Sequence, residues 1–192
     1  MKKNNEEVVA SIHRVAGELI LLHGPKGWNM DMICKRCAIA KDTLYRIIGS
    51  KEDLIRDALL GALREHNEKM ESLLNEDKDF SSILKGGVNQ LGLFLGKFSP
   101  EIVHQVFLEY PAIEKSVDGE MKKTLKAFES FFEGAKSSGK LKRGTDSKFL
   151  ARIIHNAVMD FIKAPEAGDP ARETELFLDY LIGGVGEDGK LQ

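Results

Sequence analysis

The chain has 192 residues, 28 Lys and Arg against 30 Asp and Glu for a formal net charge of −2, and 42% hydrophobic residues, values ordinary for a soluble globular protein built as one two-part chain. Its two cysteines cannot close a tetrahedral zinc site without help from other ligands. Met1-Lys2-Lys3 leads into no apolar leader core, and no run approaches the ~18 apolar residues of a membrane span, so neither export nor membrane insertion is expected and the chain is placed in the cytoplasm.

Charge is spread unevenly. Residues 1–54 carry nine Lys/Arg against seven Asp/Glu, leaving nineteen against twenty-three beyond them; a mildly basic head on an acidic body suits a head that meets nucleic acid. Residues 6–23 keep helical spacing through Val8, Ile12, Val15, Ala16, Leu19 and Leu22, and Gly24-Pro25 ends that helix. It is expected to cover the next two helices from behind, with Trp28 as a packing wedge.

Residues 28–54 specify two short helices at an angle. Asn29 caps the first, whose apolar members Met30, Ile33 and Cys37 share one face. Ala38-Ile39-Ala40 makes a compact corner. The second helix starts near Lys41, turns Leu44 and Ile48 inward, and points Thr43, Tyr45, Arg46 and Ile47 elsewhere. Gly49 ends it, and Ser50 with Asp53 forms a capping-box-like start for the next helix. Two short helices joined by so brief a turn describe a helix-turn-helix, whose second helix enters the DNA major groove. Between Lys35 and Lys51, Lys35, Arg36, Lys41, Arg46 and Lys51 stand against Asp42 alone and make that segment basic.

Here the chain resembles the TetR-type transcriptional repressors. Gly24, Ile33, Thr43-Leu44-Tyr45, Ile48 and Ser50-Lys51-Glu52-Asp53-Leu54 stand in register with that family's signature over roughly residues 8–58. The resemblance implies that Thr43, Tyr45 and Lys51 hold phosphates while Lys41, Arg46 and Ile47 approach base edges. It also implies a homodimer on a palindromic double-stranded DNA operator, released by a small-molecule effector, with no cofactor. Three departures stand out. Ala38 occupies a usual turn glycine, where positive φ would cost alanine about 1–2 kcal/mol. Ala40 replaces a frequent serine cap, and Ile47 replaces a frequent tyrosine or histidine, trading a polar contact for one to a thymine methyl.

From Lys51 a long helix is expected to reach about Leu74, with Leu54, Ala58, Ala62 and Leu73 inward. Further helices are expected near 79–98, 101–109, 111–138, 146–164 and 170–186, broken at Ser99-Pro100, Tyr110-Pro111, Ser137-Ser138-Gly139 and Ala164-Pro165, with Gly119 a potential interruption. The pattern is all-α: an N-terminal three-helix helix-turn-helix DNA-binding domain, residues 1–50, then a helical-bundle ligand-binding and dimerisation domain, residues 51–192.

Within the body, phenylalanines at helical spacing read as core or as the wall of an apolar pocket. Gly86, Gly87, Gly92 and Gly96 in one helix read as a close helix crossing or as room for a ligand. The expected ligand residues are Leu91, Gly92, Phe94, Phe98, His104, Phe107, Tyr110, Phe128, Phe131 and His155, and Gly92→Leu should then fill the cavity. Phe149, Ile153, Ala157, Phe161, Phe177, Tyr180 and Leu181 give the last two helices more apolar surface than one small body needs, which suits a dimer interface.

Two other classes of function bear on this sequence. Cys34-Lys35-Arg36-Cys37 is a lone C-x-x-C, readable as a thiol redox sensor or as two packed small residues. No motif of nucleophilic, metal-dependent or phosphate-binding catalysis is present, and no histidine pair has metal-ligand spacing, so neither an enzyme nor a metal site is expected.

Overall fold

A computed structural model describes residues 5–97 and 99–163 together with Arg172, Leu176 and Tyr180. Among these the elements are eight helices: α1 (Asn5–His23), α2 (Met30–Cys37), α3 (Lys41–Ile48), α4 (Lys51–Leu74), α5 (Phe80–Lys97), α6 (Pro100–Glu109), α7 (Pro111–Ser137) and α8 (Ser147–Lys163). The all-α expectation holds, and Gly119 leaves α7 continuous. The helix expected over 170–186 lies outside the described residues, apart from Arg172, Leu176 and Tyr180, which are helical.

Local chemistry sets the ends in the head. Asn29 Oδ1 accepts the Met32 N–H at 3.1 Å and opens α2. Ala38 closes it at φ 54°, ψ 47°, the only positive φ among the described non-glycine residues, so the turn keeps a left-handed shape and alanine carries its steric cost. The Ile39 N–H returns to the Cys34 carbonyl at 3.1 Å, satisfying an end group of α2. Ala40 gives α3 no side-chain cap. Ser50 and Asp53 form a full capping box on α4, with the Asp53 N–H reaching Ser50 Oγ at 3.0 Å and the Ser50 N–H reaching Asp53 Oδ2 at 3.1 Å.

One apolar cluster runs from α1 to α8 through Ile12, Leu19, Ile33, Leu44, Leu54, Leu63, Val106, Ile113 and Ile162. The head is therefore joined to the body by one continuous apolar cluster. A second cluster gathers Leu84, Phe132, Leu141, Leu150 and Ala151 at the far end. The inward set of α4 is wider than its sequence suggests: Leu54, Ile55, Leu59, Leu60, Leu63, Met70 and Leu74 are buried, whereas Ala58, Ala62 and Leu73 are only partly so. The cause is packing on several sides, since α4 meets α1, α5 and α7.

Candidate nucleic-acid interface and ligand cavity

The outer side of α3 follows from its inner one. Leu44 and Ile48 are buried, which turns Tyr45, 42% exposed, and Arg46 to the surface. Thr43 is half-buried beside them. Ile47 is partly buried against the core cluster, so less of it reaches outward than its position in the helix implies. Lys41 is exposed and its ammonium meets Asp31 Oδ1 at 2.8 Å, a hydrogen bond that raises its pKa. Lys51 is held more firmly. Its Nζ donates to the Trp28 carbonyl at 2.6 Å and lies 4.3 Å from the centre of the indole ring, and burial lowers its pKa against the opposing charge of Glu109. Trp28 is the buried wedge expected of it, and it anchors the start of α4 as well.

The α1–α2 loop also touches the body. Lys26 pairs with Glu109 Oε2 at 2.6 Å at the end of α6. A side chain at Gly24, where φ is +64°, would place its Cβ 2.8 Å from Gln105 Oε1.

In the body a cavity of about 80 Å³ lies among four helices. Helix α4 contributes His66, Met70 and Leu74; α5 contributes Ile83, Leu84, Gly87, Val88 and Leu91; α7 contributes Met121, Thr124, Leu125 and Phe128; α8 contributes Ala151, Ile154, His155, Ala157 and Val158. Of the ten residues named from sequence, Leu91, Phe128 and His155 are on this wall. Six others sit elsewhere. Gly92 is exposed and, with Phe94, borders an outer groove beside His66, whose ring lies 4.8 Å from that of Phe94. Phe107 and Tyr110 pack into the main core, His104 is half-buried on α6, and Phe131 stacks on Phe80 at 5.5 Å in the aromatic group around Phe132. Phe98 lies outside the described residues.

The glycine question divides between adjacent residues. A Cβ on Gly86 would stand 3.0 Å from Leu73 Cδ1, the close crossing of α5 on α4. One on Gly87 would meet only Met70 Sδ at 3.6 Å, on the cavity wall. Gly92 faces open space, so Gly92→Leu fills no cavity. The signal missed in the sequence was the α8 stripe: Ala157, named there only for the partner interface, lies with Ile154 and Val158 on the cavity wall. Phe149 and Tyr180, 51% and 78% exposed, remain on the outside, with Ile153 half-buried. Phe177 and Leu181 lie outside the described residues, as does the side chain of Phe161.

Cys37 is buried with Sγ 3.8 Å from Ser11 Oγ, and Cys34 is half-buried; both are free thiols packed under the helix-turn-helix. That is the packed-residue reading. Among the described residues no group of three or more metal-ligating side chains comes together, and no helix is long and apolar enough to cross a membrane.

No family model and no curated protein matches the sequence. Solved structures do match. A TetR/AcrR-family transcriptional regulator from Thermobifida fusca superposes with TM-score 0.74 at 18% identity, covering 94% of this chain and 98% of its own. The transcriptional regulator FadR from Bacillus subtilis, in complex with stearoyl-CoA, gives 0.71 at 19%, covering 92% and 98%. NalD, the secondary repressor of the MexAB-OprM multidrug efflux pump in Pseudomonas aeruginosa, gives 0.69 at 17%, covering 97% and 100%. Helix-turn-helix head, connecting α4 and four-helix cavity together are the fold of TetR/AcrR-family transcriptional regulators.

Proposed function

We propose that the protein is a ligand-responsive transcriptional regulator, a repressor that binds a palindromic operator as a homodimer and is released by a small, mostly apolar effector. The observation that carries this reading is α4. It starts on the helix-turn-helix with the Ser50–Asp53 box and, roughly 30 Å further along, lends His66, Met70 and Leu74 to the cavity. An occupant that pushes on those residues tilts the helix on which the head is mounted, favouring a state in which the two heads no longer match successive major grooves. The structures of FadR bound to stearoyl-CoA and of the repressor NalD support ligand-linked repression on this fold.

In this reading residues 1–50 form the DNA-binding unit and 51–192 the ligand and dimer unit. Thr43, Tyr45 and Lys51 take phosphates, and Lys41, Arg46 and Ile47 take base edges. Lys51 reaches a phosphate with the protons its ammonium does not give to the Trp28 carbonyl. The exposed Phe149 and Tyr180 belong to the partner interface. Acting on chromosomal DNA, the protein works in the cytoplasm.

Selection from a random duplex library should return a pseudo-palindrome with half-sites about one helical turn, roughly 34–36 Å, apart or somewhat further. Sedimentation showing only monomer at micromolar concentration would sink the reading. Lys51→Ala should weaken binding to all sequences and lower the salt slope by about one unit, whereas Arg46→Ala should change the preferred sequence. The opposite pattern would reverse the assignment of these residues.

A further inference from the structure

The cavity lining has an unusual charge content for a recognition site. Among the described residues that form it there is no lysine, arginine, aspartate or glutamate, and its polar members are His66, Thr124 and His155. A buried ionised ligand needs a partner charge or several hydrogen bonds to replace its lost hydration. These walls offer no carboxylate, ammonium or guanidinium, and few hydrogen-bonding groups.

Each polar group is further limited by its neighbours. Thr124 Oγ1 donates to Asn67 Oδ1 on α4 at 2.6 Å, while Asn67 Nδ2 donates to the Glu120 carbonyl at 3.4 Å. The one hydroxyl proton of Thr124 is thus committed within the protein, and its oxygen keeps only acceptor capacity. His155 is half-buried on α8, and burial holds its imidazole below the ordinary histidine pKa against the pull of Asp118. Asp118 is itself bound by Lys122 at 2.7 Å. A neutral imidazole brings one donor and one acceptor and no charge. His66 lies against Phe94 at the edge of the site.

Size adds a second limit. About 80 Å³ is smaller than the roughly 150 Å³ apolar cavity that takes up benzene. A single ring therefore needs the lining to give, and Met70 and Met121, unbranched and adaptable, are the wall residues best suited to do so.

We propose that this cavity selects an uncharged effector of about one ring or a short chain, bearing a hydroxyl that is met by Thr124 and His155, and that it rejects carboxylates and ammonium ions built on the same apolar body. This rests on the reading of the cavity as the effector site and adds the chemical class of its ligand.

Calorimetric titration of the full chain near neutral pH with toluene, 4-methylphenol, 4-methylbenzoate and 4-methylbenzylammonium tests it, because the four share one ring and differ in charge and hydrogen bonding. The phenol should bind at least about tenfold more tightly than either ion, a difference of about 1.4 kcal/mol, and more tightly than toluene. Thr124→Val and His155→Leu, each close in volume to the residue replaced, should bring phenol down towards toluene while toluene binding persists. Binding of the benzoate or the ammonium as tight as that of the phenol overturns the proposal, and so does failure of all four to bind at millimolar concentration. A parallel DNA-release assay separates the two readings. Release by the carboxylate alone leaves the regulator standing and removes the neutral-ligand class. Selective phenol binding by a protein that binds no DNA leaves the ligand class standing and removes the regulator.

Discussion

The head and the body of this chain are both helical, yet they are built by different kinds of information. From Asn29 to Asp53 helix ends are set by residues within a few positions of them, the uncapped start of α3 at Ala40 excepted: Asn29 on Met32, Ala38 in its left-handed corner, Ser50 on Asp53. In the body the decisive feature is a void, bounded by residues from His66 to Val158 on four helices. Gly86 and Gly87 are neighbours, but one is pressed by Leu73 and the other faces the cavity. Adjacent residues of one type acquire different roles because helix packing, with its own geometry, intervenes between sequence and site.

The largest effect should separate close packing in the head from looser packing around the cavity. Leu44 is fully buried between the helices of the head, and Leu44→Ala should cost about 3–4 kcal/mol because the surrounding helices can fill little of the lost volume. Leu91→Ala, on the cavity wall, should cost about 2 kcal/mol, since part of its surface already meets empty space. Urea unfolding measures both. Equal losses would mean that the cavity wall is packed as tightly as the head.

That contrast explains what was legible beforehand. Helix α4 was bounded correctly from its capping box, and α6 and α7 from prolines that can begin a helix but not sit within one, Pro100 and Pro111. The left-handed strain at Ala38 was also foreseeable, because the resemblance sets Ala38 at a usual turn glycine. The cavity was legible only in part. Phenylalanine content drew attention to Phe94, Phe107 and Phe131, whereas the walls are largely Met, Leu, Ile, Val and Ala, whose periodicity is the same whether they face a core or a gap. Likewise, Ala157 on the amphipathic α8 has no local feature that says which partner its apolar side meets.

A smaller effect probes the polar tie between the parts of the body. Glu120 on α7 is buried to 9% exposure and accepts from Lys123 Nζ at 2.9 Å and Arg64 Nε on α4 at 3.1 Å. Those bonds, Lys123's first, hold its pKa below the ordinary glutamate value of 4.5. A depressed folded pKa stabilises the fold above the unfolded value and loses that contribution as pH falls through the folded one. Glu120→Gln should therefore cost about 1–2 kcal/mol near neutral pH, reduced because both cationic partners are well exposed. The gap to wild type should begin to narrow as pH falls below about 4.5 and close once it passes the lower folded value. A gap independent of pH would show that packing, not charge, sets the loss.

In the head, Ala38→Gly removes the left-handed penalty without touching a core contact and should raise stability by about 1 kcal/mol. In a chain of this size that is roughly 2–4 °C in Tm. No gain would mean that the turn relaxes to accommodate alanine.

The smallest effect is the sharpest test of the body, because it compares two glycines one residue apart. Each glycine in a helix interior costs about 0.5–1 kcal/mol against alanine, so both substitutions begin with the same gain. At Gly87 the new methyl meets Met70 Sδ at 3.6 Å, an ordinary contact, and the gain should be kept. At Gly86 it meets Leu73 Cδ1 at 3.0 Å and Cδ2 at 3.1 Å, so Leu73 must shift and Gly86→Ala should come out near zero. The cavity adds a second readout. Gly87→Ala narrows the wall that holds Leu91 and Val88 and should weaken binding of a ring-sized neutral ligand even as the melting temperature rises, whereas Gly86→Ala should leave that binding unchanged. Thermal melting of the pair, each with and without 4-methylphenol, distinguishes these outcomes. Equal stabilisation by both would remove the close crossing at Gly86, and unaltered binding in Gly87→Ala would detach Gly87 from the cavity.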